Sequence, residues 1–121
     1  MDYDEMYRLW NDAVTELDRG RGSVVVSSLE GILKFLLGEL AGCPADARKK
    51  EKTRELLTRA FAHLGTALYQ RWKRYGPQDS WAREALASAL ENYEQALSLD
   101  PNCAEAKIGA RTIRNEALRE L

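Results

Sequence analysis

Helix-breaking residues are scarce in this chain, and that scarcity limits its fold more than any other feature. Only three prolines occur in 121 residues, at Pro44, Pro77 and Pro101. The stretches between them are rich in Ala, Leu, Glu, Lys and Arg, which are strong helix formers. Three successive valines, Val24–Val26, favour an extended segment, but a lone strand would have nothing to pair with. We therefore predict an all-α fold of about five helices arranged as antiparallel helical hairpins.

Apolar residues at spacings of three and four define the first two helices. The first should end before the Arg19–Gly22 loop, and the second should run from an N-cap at Ser23 to a stop at Gly42. Apolar side chains reach almost all the way around the second helix, so neighbouring helices or a second subunit must enclose it. The first stripe comprises Met6, Leu9, Trp10, Ala13, Val14 and Leu17, and the second comprises Val25, Leu29, Ile32, Leu36 and Leu40, widened by Leu33, Phe35 and Leu37.

The third helix is expected to be long. Asp46 can cap its N-terminus and the Gly-Pro pair at residues 76–77 ends it, which gives roughly 30 residues and about 45 Å. The fourth helix begins at Asp79 or Ser80 and stops at the Asp-Pro pair at residues 100–101. The inner face of the third consists of Leu57, Ala60, Phe61, Leu64, Leu68, Trp72 and Tyr75, and that of the fourth of Ala82, Ala85, Leu86, Ala89, Tyr93, Ala96 and Leu97.

The fifth helix has a weaker pattern. Asn102 is its expected N-cap, with Glu105 three residues later as in a capping box. Its apolar stripe is narrow, as in a terminal helix that is covered on one side only. The length of the chain suits a single helical domain over residues 1–121, in which residues 1–45 form an N-terminal helical hairpin.

The charge of the chain is unevenly distributed. The net charge of −1 argues against a nucleic-acid-binding protein. Residues 1–18 carry six acids and one base, whereas residues 48–83 carry ten bases and three acids. These two regions either attract each other or form solvated faces, and the alternative is that the basic half attracts an acidic partner.

The residues that most enzymes and metal sites need are missing. His63 is the only histidine, and Cys43 and Cys103 are the only cysteines. They cannot supply the usual four ligands of a zinc site, and no nucleophile stands in a recognisable catalytic spacing. We therefore predict a protein that is not an enzyme and has no metal and no cofactor.

Membrane and export signals are also missing from the pattern. The N-terminus is acidic, unlike a signal peptide. The most apolar segment, Ile32–Leu40, is too short to span a bilayer and contains Lys34 and Glu39. The sequence thus predicts a soluble, intracellular protein of the cytoplasm with no membrane span.

The C-terminal half, about residues 58–121, resembles the tetratricopeptide repeat family. In that family a small residue is followed by an aromatic, an alanine and a proline at fixed offsets, and the preceding helix carries a bulky residue and a Leu-Gly pair. The glycine and the small residue are 24 positions apart here, against about a dozen in the standard repeat. The resemblance therefore implies an extended hairpin followed by a C-terminal helix. The matching residues are Ala89, Tyr93, Ala96 and Pro101 in the second helix and turn, and Phe61, Leu64, Gly65 and Leu68 in the first.

The resemblance implies a protein–protein interaction module or adaptor that binds a peptide or helix of a partner protein. In this family, ligands lie along the first helices of successive hairpins. Tyr69 is predicted to be exposed there and to anchor the partner, the alternative being that it packs against the N-terminal half. Carried over to this chain, with the spacing of the third helix, the candidate partner-binding residues are Arg59, His63, Thr66, Tyr69, Gln70 and Lys73.

A structural assembly module of a larger complex is the alternative function. In that case the apolar second helix or the last helix would pack against a partner or against a copy of itself as a homo-oligomer.

Overall fold

The fold is all-helical, as predicted. The computed structural model describes residues 1–42, 46–76 and 80–117, apart from the side chains of residues 81, 82, 116 and 117, and this part of the chain contains no strand. A 3₁₀ turn, Gly22–Val24, precedes the second helix, and a π-helical turn, Ile113–Ala117, follows the fifth. The five helices are α1 (Tyr3–Asp18), α2 (Val26–Ala41), α3 (Ala47–Tyr75), α4 (Ser80–Leu99) and α5 (Ala104–Thr112).

Helix α3 is the centre of the molecule, because it packs against each of the other four helices. Helices α1 and α2 form an antiparallel hairpin, in which the Tyr3 ring meets Phe35 near the end of α2 at 5.1 Å. Helices α3 and α4 form the second and more extensive hairpin, and α5 turns back onto both of them. The arrangement is therefore one of antiparallel helical hairpins, in agreement with the prediction.

Helices α1 and α3 run parallel to each other. Trp10 of α1 meets His63 of α3 edge to face at 5.6 Å. Seven residues further along each helix, the backbone oxygen of Leu17 accepts a hydrogen bond from Gln70 at 3.1 Å. One face of α3 is consequently directed towards α1 between His63 and Gln70.

Most helix ends lie where the sequence predicts them. Asp2 caps α1 by accepting a hydrogen bond from the Glu5 amide at 2.8 Å, and Asp46 caps α3 in the same way. Gly20 and Gly76 follow α1 and α3 with φ of +73° and +82°, a backbone conformation that favours glycine.

Two predicted N-caps are wrong. Ser23 lies inside the 3₁₀ turn, and α2 begins later, after Val25, which has no capping side chain. Asn102 does not cap α5 either, because Cys103 occupies that position and Glu105 is turned towards α3. At both places the structure has a contact with α3 where the sequence predicted a local cap. The Gly22 amide bonds to Gln70, and the Glu105 carboxylate bonds to Thr66.

The core contains most of the predicted stripes, together with Val26, Ala62 and Ala67, which lie outside them. Leu37 and Tyr75 were expected to be covered, but 48% and 47% of their surfaces are exposed. Six of the buried side chains of α3 and α4 are alanines, and these two helices share the most extensive packing among the described elements. The fully covered side chains are Met6, Ala13, Leu29, Ile32, Leu36, Leu57, Ala60, Ala62, Ala67, Leu86, Ala89, Ala96, Ala106 and Ile113.

Some sequence predictions lie outside the described residues, and the division of residues 1–121 into segments stays a prediction. The positions outside them are Cys43, Pro44, Pro77, Asp79 and Leu121.

Candidate partner-binding face

The predicted partner-binding residues follow the side of α3 that faces α1 and α5. Their spacing of three and four residues places them on one stripe of the helix, which we call the inner stripe. Four of them, with two neighbours, line an open groove of about 590 Å³, which we call the Tyr69 groove. The groove residues are Gly20, Thr66, Tyr69, Gln70, Lys73 and Arg74.

Tyr69 is half-buried, which corrects the prediction that it is exposed. Its ring stacks on Trp72 at a centroid distance of 5.8 Å and an interplanar angle of 24°. Trp72 is itself buried in the core, so it holds the tyrosine ring against the helix surface. The ammonium group of Lys73 lies 5.7 Å from the centre of the Tyr69 ring, within the range of a cation–π contact. The groove thus combines a positioned aromatic ring with positive charge.

Gln70 has a structural role, because both polar ends of its side chain bond to backbone groups of the fold. Its side-chain Oε1 accepts a hydrogen bond from the Gly22 amide at 2.6 Å, and its Nε2 donates one to the Leu17 carbonyl at 3.1 Å. A Cβ atom at position 22 would lie 2.6 Å from the Ala67 Cα, so this contact requires glycine. Gln70 therefore clasps the loop between α1 and α2 onto α3, and its amide faces the loop.

His63 and Thr66 join α3 to α5. Nδ1 of His63 lies 3.1 Å from Oε1 of Glu105, and the Thr66 hydroxyl donates to Oε2 of the same carboxylate at 2.7 Å. The Tyr93 hydroxyl of α4 lies 2.8 Å from that of Thr66. These four side chains form one polar network across three helices.

The network changes the acidity of two of its members. Burial raises the pKa of Tyr93 to about 12, a change that the Thr66 hydrogen bond opposes. Burial also acts to raise the pKa of Glu105, but the hydrogen bond and charge of His63, together with Thr66, outweigh it and the pKa is lowered. Glu105 is accordingly held as a carboxylate and Tyr93 as a neutral phenol.

Two glycines make room for the Tyr93 ring. A Cβ atom at Gly65 of α3 would lie 2.7 Å from this ring, and one at Gly109 of α5 would also collide with it. The ring is 3% exposed. Tyr93 is therefore enclosed between α3 and α5, and its hydroxyl is brought to Thr66.

Arg59 lies apart from the Tyr69 groove. It borders a second open groove of about 640 Å³ between the N-terminal half of α3 and the turn that joins α4 to α5, where Arg54 and Cys103 also lie. The structure therefore brings Thr66, Tyr69, Gln70 and Lys73 together and leaves Arg59 elsewhere. His63 is covered in part by Trp10.

Trp10, Arg74 and Glu105 were not among the predicted partner-binding residues, although the structure places them beside these. Trp10 belongs to the apolar stripe of the first helix, and Arg74 belongs to a basic run at the end of the third. The capping-box pattern assigned Glu105 to its own helix. Only the parallel packing of α1 and α3 and the return of α5 bring these residues together.

Within the described part of the chain, no group of three or more His, Cys, Asp or Glu side chains could hold a metal ion. No helix there has the length and apolar character needed to cross a membrane. The Tyr69 groove presents an aromatic ring beside the charges of Lys73 and Arg74.

No protein-family model, curated protein or solved structure matches this chain.

Proposed function

We propose that this protein is a cytoplasmic helical adaptor that binds a peptide or helix of a partner protein in the Tyr69 groove. The observation that carries the proposal is the Tyr69 ring, which is fixed on buried Trp72, remains half-exposed, and stands beside the charges of Lys73 and Arg74. Rigid aromatic side chains and arginine often anchor protein interfaces. The basic groove favours a partner segment that is acidic.

We also propose that the α3–α4 hairpin is a tetratricopeptide-like repeat with lengthened helices. Ala89, Tyr93 and Ala96 are all buried at the positions that pack in that family. Gly65 leaves space for the Tyr93 ring between α3 and α5. Hairpins that stack in this order expose their first helices on one common face, which supports α3 as the binding helix.

The test compares partner capture by immobilised wild type, Tyr69→Ala and Tyr75→Ala proteins from an extract of the native cell. Tyr75 is the matched control, because it is an exposed tyrosine on the same helix outside the groove. Mass spectrometry should identify proteins that the wild type and Tyr75→Ala retain and Tyr69→Ala loses. Circular dichroism must show that both variants melt as cooperatively as the wild type. A folded Tyr69→Ala protein that retains every partner would refute the proposal.

A structural assembly role is the second candidate, and an exposed side chain favours it. Ile108 on α5 is 65% exposed, the largest value among the exposed large hydrophobic residues that the structure describes. A contact through this residue would bury it against a larger complex or a second copy of the chain. Light scattering over a range of concentrations, with Ile108→Lys for comparison, tests the self-association: a wild-type monomer at tens of micromolar would exclude it.

A further inference from the structure

One wall of the Tyr69 groove does not belong to α3. Gly20, in the turn that ends α1, lines the groove together with five residues of α3. This turn consists of Arg19, Gly20 and Arg21, and we call it the glycine turn. Its position relative to α3 therefore helps to set the shape of the groove.

The glycine turn is closed by local hydrogen bonds. The Gly20 amide donates to the Leu17 carbonyl at 3.0 Å, and the Arg21 amide donates to the Glu16 carbonyl at 2.8 Å. With Gly20 in a left-handed conformation at φ of +73°, these two bonds form the Schellman motif that ends many helices. The turn is consequently an ordered extension of α1.

The glycine turn contributes shape to the groove, and the positive charge of the groove comes from α3. The guanidinium groups of Arg19 and Arg21 pair with the same Glu16 carboxylate, at 3.5 and 3.1 Å. Residues 16–21 contain two acids and two bases, so this end of α1 has no net charge. The charges that a partner meets in the groove are those of Lys73 and Arg74.

Gln70 holds the glycine turn on both sides. Its Nε2 donates to the Leu17 carbonyl before the turn, and its Oε1 accepts from the Gly22 amide after the turn. Gln70 is also the neighbour of Tyr69 on α3 and lines the same groove. A single side chain thus fixes the turn relative to the helix that carries the aromatic ring.

We infer that Gln70 is a positioning residue for partner binding, because it holds the glycine turn as a preformed wall of the Tyr69 groove. A groove that is complete before the partner arrives loses no affinity to the ordering of a loop. Without the two Gln70 bonds, the partner would have to immobilise the turn against α3 as it bound. This inference rests on the proposed function in the Tyr69 groove.

The test titrates the full chain, labelled with ¹⁵N, with the synthetic peptide acetyl-Asp-Glu-Phe-Asp-Glu-amide and follows the NMR spectrum. In the wild type the amide signals of Gly20, Tyr69 and Lys73 should shift. Gln70→Met keeps the length of the side chain but loses both hydrogen bonds, and Gly22→Ala forces the loop away from α3. Each should lower the affinity about threefold or more. The double variant should bind about as weakly as either single variant, since both changes release the same turn.

Ala89→Leu is the control for a general loss of stability. It overpacks the α3–α4 interface, where Ala89 is fully covered, and changes no residue of the groove. This variant should bind the peptide as the wild type does. A loss of affinity as large as that of Gln70→Met would mean that Gln70 acts only through the stability of the fold.

Two results would overturn the positioning role alone. One is an unchanged affinity in folded Gln70→Met and Gly22→Ala proteins, beside a Tyr69→Ala protein that no longer binds. The other is a double variant whose loss of affinity is the product of the two single losses, because the two changes would then act independently. An absence of shifts in the wild type at about 1 mM peptide, far above a useful dissociation constant, would instead refute binding in the Tyr69 groove and the positioning role with it.

Discussion

The hydroxyl groups of Thr66 and Tyr93 lie 2.8 Å apart, and the direction of their hydrogen bond is set by a third residue. Thr66 has one hydroxyl proton, and the Glu105 carboxylate 2.7 Å away can only accept. Thr66 therefore donates to Glu105 and accepts from Tyr93. The chain of donors runs from α4 through α3 to α5, so the position of α5 depends on a residue in the middle of α3.

Removing the central hydroxyl should loosen α5. We expect Thr66→Val, which keeps the shape of the side chain, to lower the free energy of unfolding by about 1–3 kcal/mol, because it leaves the buried Tyr93 hydroxyl without its partner. Thr112→Val is the control, since the Thr112 hydroxyl bonds only to the Ile108 carbonyl of its own helix among the described residues. Urea denaturation measures both. Equal stability losses would mean that the network contributes nothing beyond an ordinary helical threonine.

Stability should depend on pH through Glu105. Its pKa in the folded protein lies below the ordinary value of 4.5, so its contribution is complete above pH 4.5 and is lost as the pH falls through the folded pKa. We expect the difference in unfolding free energy between wild type and Glu105→Gln to shrink as the pH falls below 4.5. Urea midpoints from pH 7 to pH 3 test this. A difference that grows in acid would contradict the sign of the pKa shift.

The α3–α4 interface should not accept a larger residue at Ala89. This side chain is fully covered, so Ala89→Leu should cost about 1–3 kcal/mol of stability through overpacking. Ala87 lies two residues earlier on α4 and is exposed, and Ala87→Leu should change stability by less than about 0.5 kcal/mol. Thermal melts followed by circular dichroism distinguish the two. A melting temperature that Ala89→Leu leaves unchanged would place Ala89 outside the interface.

Replacement of two glycines by alanine should change the stability of the protein in opposite directions. Gly22→Ala forces a Cβ atom against Ala67 and Gln70, and we expect a loss of about 1–3 kcal/mol. Gly38 lies within α2 with nothing within 4 Å of the added atom. Gly38→Ala should therefore stabilise the protein by roughly 0.5–1 kcal/mol. Chemical denaturation of both variants provides the measurement, and destabilisation by Gly38→Ala would be the unexpected result.

The sequence was sufficient for features that depend on near neighbours. Asp2 and Asp46 cap helices because their side chains reach amides three residues away, and the periodic apolar stripes determine which face of each helix is covered. Ala89 and Tyr93 were correctly placed in the core for the same reason.

Contacts between distant parts of the chain were not predictable in this way. Gln70 meets a loop 48 positions earlier, and Glu105 meets His63 across 42 positions. A helical wheel gives the direction of Tyr69 relative to its own helix, but its burial depends on Trp72 and on the neighbouring elements.

The two hydrogen bonds of the Gln70 side chain also restrict which changes in sequence and loop length this protein can accept during evolution. Surface loops usually accept insertions and lose sequence identity sooner than the helices that they connect. Both ends of the Gln70 amide are held here by fixed positions, Leu17 and Gly22, so one inserted residue between them would leave a polar group without its bond. Three features should therefore be kept together or lost together in any descendant of this sequence. They are the length of the α1–α2 loop, the glycine at position 22 and the amide side chain at position 70.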